Sequence, residues 1–179
     1  MDQQVQLIPL VCSKCQTRVP AQPDEVAWVC GQCGQGLLLD VSNGLVPLEV
    51  KYAEGIAPDS PGKPFWVTEG RVAFTNRKTY SGNEDREAHA FWGQPRQFYV
   101  PAFNHTLEAL LELGSKFLQQ PPALQPGPAT RFEPVTLAIE DVKPLAEFIV
   151  MALEAGRKDK LKEIQFSLEL SSPVLWVLP

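Results

Sequence analysis

Histidine is nearly missing from this sequence: 179 residues hold two, His89 and His105. Neither stands in a motif that would pair it with a nucleophile or a metal-binding carboxylate, and no GxSxG, Walker loop, GxGxxG or HExxH occurs. The commonest general acid–base is therefore scarce, and a hydrolytic reaction would rest on Asp and Glu, among which no pair is marked out. Long apolar runs are also lacking. None approaches the roughly 20 residues that a membrane-spanning helix needs. The first residues, MDQQVQLIPLVCSKC, carry Asp2 and no basic residue before Lys14, unlike the positive start of a secretory leader. The expected location is the cytoplasm, where thiols stay reduced and structural disulfides are rare. Nor is there a surplus of positive charge. Lys and Arg number 16 against 21 Asp and Glu, and the net charge of −5 favours solubility over nucleic-acid binding. With 44% hydrophobic residues, the chain can fill one ordinary core and a small additional module.

What the sequence does have is a cysteine pattern. Cys12-x₂-Cys15 and Cys30-x₂-Cys33 are separated by fourteen residues, room for one strand out and one back. Two residues between thiolates let both sulfurs reach one ion from a tight turn, where backbone N–H groups offset the gathered negative charge. Two such knuckles make a tetrahedral S₄ cage, so the expected ligands are Cys12, Cys15, Cys30 and Cys33 around one structural Zn²⁺. A redox CxxC would open a helix after a strand, and neither pair is followed by a helical pattern. A rubredoxin-like iron site shares the S₄ geometry, although its knuckles usually carry more glycine and aromatic residues.

The order of knuckle, hairpin, second knuckle followed by Gly34, and further strand resembles the zinc-ribbon superfamily over about residues 8–52. The first knuckle, CSKCQ, lacks the glycine often found after the second cysteine. The resemblance implies a structural zinc and no reaction chemistry. The chain as a whole is similar to prokaryotic proteins with such a ribbon at the N-terminus, and residues 53–179 resemble no family. Within residues 1–50, Lys14 and Arg18 face Asp2, Asp24, Glu25, Asp40 and Glu49. A filled S₄ cage adds further negative charge, so the module does not suit phosphate binding.

Turn signals divide the rest. VQLIPLV (5–11) and EVAWVC (25–30) read as strands, and residues 36–41 and 45–52 as a hairpin around Asn43-Gly44. AEGIAPDSPGKP (53–64) reads as a linker. Residues 65–80 form a strand, 81–85 a turn, and 86–103 one or two strands broken near Gly93 and Pro95. A helix is expected over 105–119, capped by Asn104, with Leu107, Leu110, Leu111 and Leu118 on one stripe. Residues 131–139 read as a strand. A second, very apolar helix is expected over 142–156, with Pro144 in its first turn and Lys143, Glu147, Glu154 and Lys158 as its thin wet edge. A charged connector (157–163), an alternating strand (164–170) and an apolar strand (174–179) follow.

The expected architecture is α+β (mixed): a Cys₄ ribbon over 1–52, a linker over 53–64, and an α+β domain over 65–179 with two helices on one face of a sheet. The expected function is a non-enzymatic adaptor or subunit of a protein assembly, with the second helix and the last strand as surfaces for a protein partner or self-association. One alternative is nucleic-acid binding by the basic, aromatic stretch 63–100, where Lys63, Arg71, Arg77, Lys78, Arg86 and Arg96 face four acids. The other is an enzyme built on Asp/Glu chemistry.

Overall fold

Two sheets share the chain, and the second closes only when its last strand is in place. The computed structural model describes residues 7–82 and 84–179. β1 (Ala27–Val29), β2 (Gly36–Asp40) and β3 (Gly44–Leu48) form an antiparallel three-stranded sheet in chain order. Its hairpin turns where expected. Asp40 Oδ1 accepts from the Ser42 and Asn43 N–H groups at 2.8 and 2.7 Å, and Gly44 takes a φ of 79° that a side chain would resist. The strand expected over 5–11 is not formed among the described residues. Val11 makes a single bridge to Arg18, and residues 5 and 6 lie outside the described part. Pro9 supplies no N–H for a ladder there.

The hairpin's second arm ends at Leu48. β4 (Val50–Tyr52) leaves it and enters the larger sheet, pairing in parallel with β8 (Val174–Leu178). Residues 53–64 are tied down at both ends. Ala53 N–H donates to Val177 O and Glu54 N–H to Gln125 O, while Gly62 exchanges bonds with Arg131 and Glu133.

β5 (Lys63–Thr79) is the spine of the larger sheet. Its first part pairs with β6 (Arg96–Pro101) on one edge and β8 on the other, and its second part pairs with β7 (Leu161–Leu170). The order is β4-β8-β5-β6, with β7 continuing β8's line along β5. The C-terminal strand is thus interior, held between β4 and β5, and offers no free edge to a partner.

α2 (Leu107–Gln119) and α3 (Val142–Ala155) follow the expected periodicity. Thr106, not Asn104, caps α2, its hydroxyl accepting from Ala109 N–H at 3.2 Å. α3 and Leu110 and Leu118 of α2 join the core cluster of Trp66, Val72, Phe98 and Leu175. Leu113 and Phe117 of α2 reach a second cluster around Phe65 and Val67, the alternate residues of β5, and Tyr99 of β6. The helices meet at Gly114, where a Cβ would lie 2.5 Å from Ile149 Cδ1.

Three expectations fail around these elements. Residues 86–103 hold a helix, α1 (Asp85–Trp92), before β6. Ala88 and Trp92 stand one turn apart on its buried face, and Asp85 and Glu87 favour its N-terminus. Residues 131–139 form no strand; Phe132 and Val135 make isolated bridges on either side of Pro134, and a 3₁₀ turn (Ile139–Asp141) leads into α3. The wet edge expected on α3 fails at Glu154 alone, which is fully buried, whereas Lys143 and Lys158 are exposed and Glu147 is half-buried. Phe148 and Met151 also stand exposed on that helix.

Glu154 sits in a polar cluster that ties four segments together. Its carboxylate accepts from Trp92 Nε1 of α1 at 2.7 Å, Arg77 Nε of β5 at 2.9 Å and Arg157 Nε at 2.7 Å. Arg77, itself buried, also donates to both carboxylate oxygens of Asp159 at 2.8 and 3.2 Å. Asp159 is buried as well, so the stretch 157–163 is not simply a solvated connector; its last three residues open β7. Burial opposes the Arg77 charge, and the bonds to Asp159 and Glu154 more than offset it, holding the guanidinium above its ordinary pKa.

Candidate metal centre

The four cysteines come together as their spacing implies. Their sulfurs lie within 4.8 Å of one another, with Cys12 Sγ 3.7 Å from Cys33 Sγ and Cys15 Sγ 3.5 Å from Cys30 Sγ. A tetrahedron of 2.3 Å metal–sulfur bonds has edges of about 3.8 Å, so the cluster can hold one metal ion with little movement. All four are free thiols.

The two knuckles are built alike. Gln16 N–H donates to Cys12 O at 2.9 Å and Gly34 N–H to Cys30 O at 2.8 Å. Cys12 N–H donates to Thr17 O and Cys30 N–H to Gln35 O, each at 2.9 Å. The residue after the second cysteine turns left-handed in both, with φ of 61° at Gln16 and 72° at Gly34. The glycine missing from the first knuckle is therefore replaced by a glutamine in the same left-handed conformation, at a strain that glycine does not bear. Around the sulfurs, Val19, Trp28 and Leu37 form a small apolar cluster, and the Trp28 indole is fixed by Glu25 Oε2 at 2.8 Å.

The electrostatics call for a cation. The Thr17 hydroxyl, 3.3 Å from Cys15 Sγ, and the Thr17 N–H pull the Cys15 thiol from 9.0 to about 6. Cys33 also faces a backbone N–H, from Gln35, which lowers its pKa. Burial and the three neighbouring sulfurs outweigh that and push it up to about 11. The Cys15 thiolate forms easily and the Cys33 thiolate resists, so a bound cation would ease the loss of that proton. Sequence reasoning missed Thr17 and Gln16; the only signal for either is its place directly after the first pair.

The other residues singled out from the sequence do not converge here. His89 lies on exposed α1, 3.6 Å from Asp85, and His105 bonds to the Pro101 carbonyl at 3.1 Å. In the stretch 63–100, Phe65, Trp66, Trp92, Phe98 and Tyr99 are interior rings rather than an exposed stacking platform. Arg77 is committed to the buried cluster, and Arg96 lies 3.9 Å over the Phe91 ring. No helix among the described residues is long and apolar enough to cross a membrane. No protein-family model matches this chain, and no curated protein and no solved structure matches it significantly.

Proposed function

We propose that residues 8–48 form a structural zinc ribbon and that the chain acts in the cytoplasm as a non-enzymatic adaptor or subunit of a protein assembly. The observation that carries this reading is the closed donor set. Four protein sulfurs within 4.8 Å of one another would complete the shell of a tetrahedral ion and leave no open position for water or substrate, the arrangement of structural rather than catalytic zinc. When bound, zinc supplies folding free energy to a module whose own apolar cluster is small. Protein contact is further supported by Phe148 and Met151, exposed along α3, and by Leu107 at the start of α2.

The test is elemental analysis of the purified chain together with affinity co-purification from its native cell, with and without nuclease. A colourless protein holding one zinc and retaining a discrete set of proteins through nuclease supports the reading. A coloured, iron-loaded protein overturns the metal assignment. Partners that vanish with nuclease, or none at all, overturn the adaptor assignment.

A further inference from the structure

β1 is the free edge of the ribbon sheet, and its outer side is only partly used. Cys30 N–H donates to Gln35 O and Leu39 N–H to Val26 O, which makes Trp28–Leu37 the hydrogen-bonded pair between them. The N–H and C=O of Ala27 and Val29 therefore point away from β2. Ala27 meets Val135 there as an isolated bridge, with Val26 N–H donating to Val135 O at 2.8 Å. Val29 has no such partner among the described residues. Phe132 is in a similar state, because Gly62 bonds to the groups on either side of it, Arg131 O and Glu133 N–H, and leaves its own unused.

Val29 and Phe132 both line an open cleft of about 860 Å³ between the ribbon and residues 129–134. Tyr52 and Phe132 give it an aromatic wall, their ring centroids 6.2 Å apart. Arg18, beside the first knuckle, and Arg131 supply two cations that form no ion pair or side-chain hydrogen bond among the described residues. Two acids also line the cleft. The Glu25 carboxylate is held by Trp28 Nε1 at 2.8 Å and Gln22 N–H at 2.6 Å, which leaves Glu133 alone against the two arginines.

We infer that this cleft receives an extended peptide segment of a partner protein, added as a strand beside Val29 and carrying an acidic side chain for Arg18 and Arg131. Unused main-chain donors and acceptors along a sheet edge select an extended backbone, which can match both, over a compact small molecule. The aromatic wall takes an apolar side chain of the incoming strand, and the arginines select the sign of its charge. One side of the cleft includes Thr17, Gly31 and Gln32 of the metal knuckles, so metal binding also shapes the peptide site. The inference rests on the adaptor reading and gives it a surface and a class of ligand.

The test is selection from a library of blocked heptapeptides against the intact, metal-loaded protein, followed by a backbone N-methyl scan of the enriched sequences. Expected are peptides with an acid among β-branched residues. Methylation at alternate positions of one parity should weaken binding at least tenfold, while the other parity changes it less than twofold. Arg18→Glu/Arg131→Glu, at two exposed positions, should retain full metal content and lose at least tenfold in affinity. No enrichment, equal tolerance of both parities, or an unaffected double variant overturns the inference. Co-purification with that variant separates the two readings. Partners of the native protein that all persist on it leave the adaptor standing without this cleft, whereas a native protein that retains none removes both.

Discussion

Replacing Glu154 by Gln should be among the most damaging conservative changes in this molecule. The substitution keeps the shape and removes one charge from a site with no exposure to solvent. Three N–H donors converge on the carboxylate, from Arg77, Trp92 and Arg157. A glutamine oxygen can serve two of them, and its NH₂ must then face the third, donor against donor. Losing charge assistance on two bonds at about 1.5–3 kcal/mol each gives about 3–6 kcal/mol, which overlaps the roughly 3–5 kcal/mol found when one partner of a buried ion pair is removed. With a urea m-value of about 2 kcal/mol/M, the midpoint should fall by about 2 M. The assay is urea unfolding of the metal-loaded protein followed by far-UV circular dichroism. Arg77→Met should cost a comparable amount, because it leaves Glu154 and Asp159 buried without their shared cation. Combined as Arg77→Met/Glu154→Gln, the loss should be smaller than that of the two single variants added, by at least about 1 kcal/mol. A Glu154→Gln loss under about 1 kcal/mol, or strict additivity, would refute the view that the cluster acts as one buried unit.

Three further outcomes are expected. Gln16→Gly should stabilise the metal-loaded protein by about 0.5 kcal/mol in the same unfolding assay, because a left-handed residue with a side chain is exchanged for one without strain, less the entropy glycine adds to the unfolded chain. Gly114→Ala should destabilise by about 1–3 kcal/mol through its clash with Ile149, and Ile149→Val in the same chain should recover part of the loss. For Tyr99, burial raises the phenol from 10.0 to about 12, so between those pH values the folded state keeps a proton that the unfolded chain has released. Its contribution is whole below pH 10 and is lost as pH rises toward 12, a slope that Tyr99→Phe should reduce in thermal melts taken across that window.

The cysteine cluster was legible in the sequence because it is set by local spacing: two residues between cysteines fix a knuckle whatever surrounds it. The helices α2 and α3 and the strands β5 and β7 were legible for a related reason, since each presents a periodic apolar face. α1 was hidden because Phe91 and Trp92 gave residues 86–103 the aromatic content of a strand, and Ala88 and Trp92 alone mark its buried side. Glu154 and Asp159 were unreadable in principle. A carboxylate in a charged-looking stretch reads as exposed unless the cation that accompanies it is known, and Arg77 lies 77 residues before Glu154. The strand expected over 131–139 had an adequate pattern but no neighbour along its length, and Pro134 divides what pairing there is. The cleft between the ribbon and residues 129–134 depends on how the two sheets sit together, and no local pattern encodes that.

The parallel pairing of β4 with β8 has a consequence for how the chain is made. The cysteine module draws on neighbours in sequence, so its three strands and four cysteines can come together while most of the described chain is still being synthesised. β4 follows β3 after a single residue, yet it joins the larger sheet only through β8, which is made after every other described strand. Until residues 174–178 emerge, β4 has no strand beside it and one edge of β5 is bare along Lys63–Val67. The nascent protein should therefore pass through a stage with a finished cysteine module and an open apolar sheet. That is when chaperone capture or aggregation is most probable, and the late arrival of β8 ends the exposure by filling both edges at once.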